Sequence, residues 1–408
     1  MIHTLDRRAV LVLLVLSGVI ISICIGLRQS LGIFMRPMTL ELGISAATFG
    51  FSIALQNIVW GLSQPFVGAV ADRYGARPVL IATALIYAAG LALMVFARAF
   101  PGALSLAGFL AGIGTAGTGF GVLIGAVSRV TPPERRVQTV GLVSAAGSLG
   151  TMVLAPLGQW VIDGFGWKSA MFAFAAVAAS MALFALPIRE SRHAASAAKP
   201  QKLGEALREA MSHRGYLFMA AAFFACGFQL VFITTHLSTY LQVCGVPPGV
   251  AASALGLIGL CNAIGTYGFG LLGARFSQKH LLALIYLLRT LFIIAFLVAP
   301  ISQASTLIFA AAMGFLWLGV APLITGIIGR VFGLTHFNTL YGIVFLSHQL
   351  GSFFGAWMGG VVFDRFGNYD VAWGALIAVG LTAFTLQWLM DERPPRKGAL
   401  AQGAAVPA

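Results

Sequence analysis

The sequence predicts an all-α integral membrane protein of twelve transmembrane helices, laid out as two pseudo-symmetric six-helix bundles. Three observations predict it. The 408 residues are 59% hydrophobic and only 9% charged, whereas a soluble domain carries about a quarter charged residues. Apolar runs of about 20 residues, the length that crosses a hydrocarbon core, recur along the chain, and a polar stretch near the middle divides them six and six. The 49 glycines suit helices that pack closely within a bilayer.

In order, the runs fall at 9–35, 46–70, 79–98, 102–127, 138–161 and 167–188, then 216–242, 249–274, 281–300, 304–330, 338–363 and 370–390. The first follows Arg7 and Arg8 as a signal peptide would, but it exceeds the roughly 7–15 apolar residues of such a segment and no cleavage site follows. It reads as span one. Residues 1–188 then form the N-terminal bundle and 216–392 the C-terminal bundle. Between them 189–215 is rich in Arg, Lys, Glu, His and Ser, a soluble linker in which Lys202–Ser212 suits a short amphipathic helix. The tail, 393–408, is rich in Pro, Ala and Gly and is expected to be disordered.

Placing both termini in the cytoplasm puts 19 of the 25 Lys and Arg residues on the inner side and leaves Arg36, Arg98, Lys168 and Arg365 outside. That asymmetry is the positive-inside pattern. It also argues against nucleic acid as the partner behind the net charge of +13, because the basic residues sit at helix ends. The partners expected are a bilayer, a small-molecule substrate and a coupling proton, with the chain as a monomer. Cys24, Cys226, Cys244 and Cys261 lie in or beside apolar runs without metal-ligand spacing. They read as small packing residues, and no metal or cofactor is expected. No nucleophile–base pairing or phosphate loop lies within the spans, which argues against an enzyme.

Charge within the membrane carries most of the functional reading. All twelve acidic residues fall in loops, tails or helix ends. Two arginines remain at mid-membrane, Arg28 in span one and Arg289 in span nine. A buried cation is costly and defaults to a functional hypothesis. Lacking a protein anion, it invites a negatively charged substrate. Each arginine has a second reading: Arg28 snorkels to the outer interface, and Arg289 bonds backbone carbonyls or side-chain amides of its own bundle. His236 in span seven and His348 in span eleven are candidates for a coupling proton, or else neutral histidines bonded to a neighbouring helix. Gln56 and Asn57 in span two, Thr118 in span four, Asn262 in span eight and Tyr341 in span eleven are weaker substrate-binding candidates, since most such residues form interhelical hydrogen bonds. Trp60, Trp317 and Trp357 read first as packing residues.

Gly68-Ala-Val-Ala-Asp72-Arg73-Tyr-Gly75-Ala-Arg77 joins spans two and three. Gly68 and Gly75 permit close approach and a tight reversal, and Asp72 can hold the loop arginines near a helix terminus. This segment resembles the loop between spans two and three of the major facilitator superfamily. Gly270-Leu-Leu-Gly-Ala-Arg275 echoes it after span eight, with Ala274 in place of the aspartate. Gly-Trp167-Lys168 resembles the step that opens span six in that superfamily. Within the superfamily, Gly-Leu-Arg28-Gln-Ser-Leu-Gly-Ile-Phe-Met-Arg-Pro-Met and Ser63-Gln-Pro-Phe resemble a bacterial branch near the monocarboxylate and oxalate/formate transporters. The resemblance implies two rocking bundles in a bacterial inner membrane and movement of a small carboxylate, often with a proton, with 68–77 as a gating loop. Many of those relatives bind substrate through an arginine in span eight. Here span eight offers Asn262 and Thr266, so a carboxylate site has to use Arg28 or Arg289. A broad-specificity exporter of amphipathic compounds is the competing reading.

Overall fold

A computed structural model describes residues 7–98, 100, 102–131, 133–188, 203–332 and 337–393. Among them every regular element is helical. Span one is α1 (Arg7–Ser30), a 3-10 turn (Leu31–Phe34) and α2 (Met35–Leu42), and so runs past the expected end at 35. Pro37 permits this because it falls in the first turn of α2, where backbone N–H groups have no intrahelical partner. Span two is α3 (Ala46–Tyr74) and span three α4 (Ala76–Val95). Gly75 between them has φ 90°, a left-handed conformation that glycine adopts freely. Span four is broken at Gly119 into α5 (Ala103–Thr118) and α6 (Phe120–Val130). Spans five and six form one stretch, α7 (Pro133–Ala185), folded back at Gly166 with φ 80°.

After the short helix α8 (Leu203–Ser212) come α9 (Arg214–Val243), α10 (Pro248–Arg275) and α11 (Gln278–Val298). Span ten is broken like span four, into α12 (Gln303–Phe315) and α13 (Val320–Phe332). Spans eleven and twelve are α14 (Phe337–Phe366) and α15 (Asp370–Leu389). The expected linker residues 189–202 and the tail from 394 lie outside the described residues. Nine described stretches are long and apolar enough to cross a membrane, one of them holding most of the folded α7. The 29-residue α3 and 30-residue α14 complete the twelve spans. Both carry polar groups at mid-span: Gln56 and Asn57 on α3, His348 and Gln349 on α14.

The halves meet chiefly where span one packs on α9, α3 on α14, and α7 on α10. At the end of the bundle remote from the chain termini, contact is at backbone distance. Gly360 lies on the Ala46 backbone and Gly50 on the Ala356 carbonyl, and a side chain at either would collide. Toward the termini, Gly68 on α3 and Gly342 on α14, on the same faces as Gly50 and Gly360, have no neighbour within 4 Å of where a side chain would begin. The α3–α14 contact is thus tightest at the remote end and looser toward the end that bears the termini.

Two loop motifs acquire partners. Trp167 Nε1 donates to Glu41 at 2.6 Å and Lys168 pairs with the same carboxylate at 2.6 Å, which ties the start of span six to the end of span one. In the second half, where Ala274 replaces the loop aspartate, Glu392 supplies a carboxylate from the C-terminal segment. It pairs with Arg330 at 2.5 Å and accepts from Ser277 at 3.3 Å.

Candidate functional site

Arg28 is positioned by the contact of α1 with α7. Gly26 and Gly150 face each other so closely that neither admits a Cβ, and Thr151 donates to Gln29 at 2.8 Å. The helix is thereby held with Arg28 directed at α3. Arg28 Nη1 donates to Asn57 Oδ1 at 3.0 Å, and the guanidinium lies over the Trp60 ring, 5.2 Å from its centroid. Asn57 is itself oriented: its Nδ2 donates to Ile53 O at 2.8 Å, which turns Oδ1 toward the arginine. Arg28 does not snorkel to an interface. Its Nε is a buried donor with no partner, and no carboxylate pairs with it among the described residues.

The opposite half completes the site. Gln349 Nε2 of α14 donates to the backbone carbonyl of Asn57 at 2.8 Å. Phe345 meets Trp60 edge to face at 5.3 Å. Tyr341, Phe345 and His348 occupy successive turns of one α14 face, with Tyr341 stacked on Phe345 at 6.3 Å and Phe345 on His348 at 5.9 Å. Phe223 of α9 packs on the other side of His348 at 4.7 Å. His348 Nδ1 lies 3.1 Å from Gln349 Oε1 and 3.4 Å from Ser352 Oγ. The structure therefore gathers four expected residues, Arg28, Asn57, Tyr341 and His348, about one aromatic-lined seam. It adds Trp60, Phe345 and Gln349. For Gln349 the available signal was a second polar residue beside His348 at mid-span.

Other expected residues lie elsewhere. Gln56 and Thr118 are fully buried inside the first bundle. Gln56 faces Thr115 at 3.5 Å with its Oε1 unpartnered, and Thr118 bonds Gly114 of its own helix at 2.8 Å. Asn262 is committed at the α7–α10 contact. It donates to Ser148 at 2.9 Å and accepts from Leu318 N at 2.9 Å and Thr266 at 3.0 Å. His236 is fully buried near the remote end, with Nε2 2.7 Å from Ala356 O and Nδ1 3.3 Å from the Tyr369 hydroxyl. Both ring nitrogens are engaged and tie α9 to α14 and to Tyr369, the arrangement that the second reading of this histidine describes.

Arg289 makes the bonds that its second reading describes. It is fully buried, and its donors reach the Leu316 carbonyl at 2.6 and 3.1 Å, the Trp317 carbonyl, and Cys226 Sγ at 3.4 Å. These carbonyls belong to the break between α12 and α13, where the helix leaves them without intrahelical donors. The guanidinium fork supplies those donors, so the charge is spent on backbone dipoles.

In the 68–77 loop, Arg73 and Arg77 are exposed, Gly68 has no close neighbour, and the side chain of Asp72 lies outside the described residues.

Two helical bundles packed along a seam within the membrane define a polytopic membrane protein. The model of the Major Facilitator Superfamily matches residues 10–333, and the chain belongs to that superfamily; it is a transporter rather than an enzyme. It is 24% identical over 366 residues to monocarboxylate transporter 13 of Rattus norvegicus, covering 88% of this chain and 84% of that one. It is 22% identical over 394 residues to the oxalate:formate antiporter of Oxalobacter formigenes, covering 94% and 91%. The xylose transporter XylE of E. coli, in a partially occluded inward-open conformation, superposes with a TM-score of 0.72 at 14% identity, covering 96% of this chain and 99% of that one.

Proposed function

We propose that this protein is a secondary active transporter that moves a small organic anion, most simply a monocarboxylate, across a bacterial inner membrane by alternating access coupled to protons. The observation that carries the reading is Arg28, a guanidinium at the seam with a buried, unpartnered Nε and, among the described residues, no carboxylate partner. A bound carboxylate would restore a charge-assisted pair. Arg289 is engaged by carbonyls, so among the described mid-membrane residues Arg28 is the guanidinium with a donor left for an anionic group. Trp60, Phe345 and Tyr341 would cover the apolar body. His348, packed between Phe223 and Phe345, is the proton carrier in this reading. If both termini are cytoplasmic, as this reading has them, the tightly packed end of the seam faces outward.

The names of the similar proteins support a carboxylate as cargo, and the rocking of two repeats about a mid-membrane site supports the mechanism. The aromatic lining also favours a second reading, export of amphipathic compounds held by Trp60, Phe345 and Tyr341 alone. Thermal-shift measurements on detergent-purified protein separate the two. The panel holds mono- and dicarboxylates, other oxyanions and cationic amphiphiles, with Arg28→Gln beside the parent. Stabilisation by monocarboxylates that disappears in Arg28→Gln is expected. Stabilisation by cationic or neutral amphiphiles alone, unchanged in the variant, favours the exporter.

A further inference from the structure

We propose that Asp364 is the latch of the remote end, the residue that holds the two halves together there. Its two carboxylate oxygens accept from the backbone N–H groups of Ala46 at 3.0 Å and Ala47 at 2.7 Å. Asp364 closes α14 in the C-terminal half, and Ala46 and Ala47 open α3 in the N-terminal half. The contact is therefore a bond between the moving bodies. First-turn N–H groups have no intrahelical partner. Ser45 caps Thr48 N at 3.0 Å and leaves the two preceding donors to the aspartate. The helix terminus adds its positive end to the attraction.

The surroundings fix this geometry. Gly360, one turn before Asp364, brings α14 onto the Ala46 backbone. His236 bonds the Ala356 carbonyl on that helix and the Tyr369 hydroxyl beyond its end, so this end of α14 is tied to α9 and its carboxylate is presented to α3. Asp364 itself is exposed. It stays hydrated on release, and a bond of modest strength suits a contact that has to break and reform in every cycle. The latch rests on the rocking of the two halves and not on the identity of the cargo.

Double electron–electron resonance tests it. Spin labels are placed at the remote end of each half through Phe165→Cys and Asn368→Cys, both exposed positions, with Cys244 and Cys261 replaced by Ser. The parent is expected to give mainly the short distance. Asp364→Asn is expected to raise the ratio of long to short about five-fold, the size of a helix-terminus charge interaction. Ala46→Pro removes one donor at a position that tolerates proline and is expected to act in the same direction. It answers the question even where Asp364→Asn yields no folded protein. Unchanged distributions in the folded variants overturn the latch. So does a parent dominated by the long distance, or an equal shift in the control Arg365→Gln, which alters the neighbouring charge.

Discussion

Tyr87 and Arg289 stand at equivalent points of the two halves. The interval along the chain from Tyr87 to Arg289 is the same as from Cys24 to Cys226 and from Thr115 to Trp317, and the contacts repeat with it. The Tyr87 hydroxyl faces the Cys24 carbonyl at 3.5 Å and the Thr115 side chain. Arg289 faces Cys226 at 3.4 Å and the Trp317 carbonyl. Each residue sits on the third span of its half, against the first span and beside the broken fourth. Arg289 thus fills a structural position that its counterpart fills with a phenol.

That position makes Arg289 a stability residue. Arg289→Met would strand the Leu316 and Trp317 carbonyls in an apolar interior, and each buried unsatisfied group costs about 1–3 kcal/mol. A loss of about 3 kcal/mol or more is expected, read as a lower thermal midpoint in detergent. Arg289→Lys should recover little, because one ammonium cannot reproduce the planar fork. Anion-dependent stabilisation of whatever folds should persist, which distinguishes this arginine from Arg28.

Arg28 is expected to respond oppositely. Arg28→Lys keeps the charge but gives up the geometry that reaches Asn57 while covering Trp60. Thermal midpoint should change little, and carboxylate affinity should fall about ten-fold, the equivalent of roughly 1.4 kcal/mol. Trp60→Phe keeps an aromatic face of weaker cation attraction and should weaken binding less than Arg28→Lys does. Titration of ligand against thermal shift measures both.

How much of this was legible in the sequence differs by kind of feature. The twelve spans, their grouping and the two mid-membrane arginines follow from hydropathy and the charge ledger, which are local properties. The breaks at Gly119 and at Leu316–Gly319 were not legible, since both lie within unbroken apolar runs and depend on donors from other helices. The separate fates of Arg28 and Arg289 were equally hidden: both are lone cations in apolar segments, and only the packing shows that one meets freed carbonyls and the other a side-chain amide at the seam. Phe345 joins the site through a contact between the halves, which no local pattern encodes, and Gln349 showed in the sequence only as a polar residue at mid-span.

The two histidines should separate in experiment. His236 is fully buried with both nitrogens engaged, so His236→Leu should cost about 1–3 kcal/mol of stability through the unsatisfied Ala356 carbonyl. His348→Gln should fold with a nearly parental midpoint, because an amide can still pair with Gln349 or Ser352. In proteoliposomes it is expected to abolish acceleration of uptake by an imposed proton gradient while leaving counterflow exchange measurable. Equal loss of both activities would remove His348 from the coupling role.

Asn262 joins the seam to the broken span ten. Its amide donates to Ser148 of the other half, and its carbonyl oxygen accepts from Leu318 N within the break. Ser148→Ala removes only the inter-half bond and is expected to cost about 1 kcal/mol. Asn262→Ala also strands the Leu318 N–H and should cost about 1–3 kcal/mol more. Because both changes strike one network, the double variant should be no less stable than Asn262→Ala alone, a non-additivity that a double-mutant cycle on thermal midpoints detects. Full additivity would show that Ser148 and Asn262 stabilise the protein independently and that the seam is not coupled to the break through this pair.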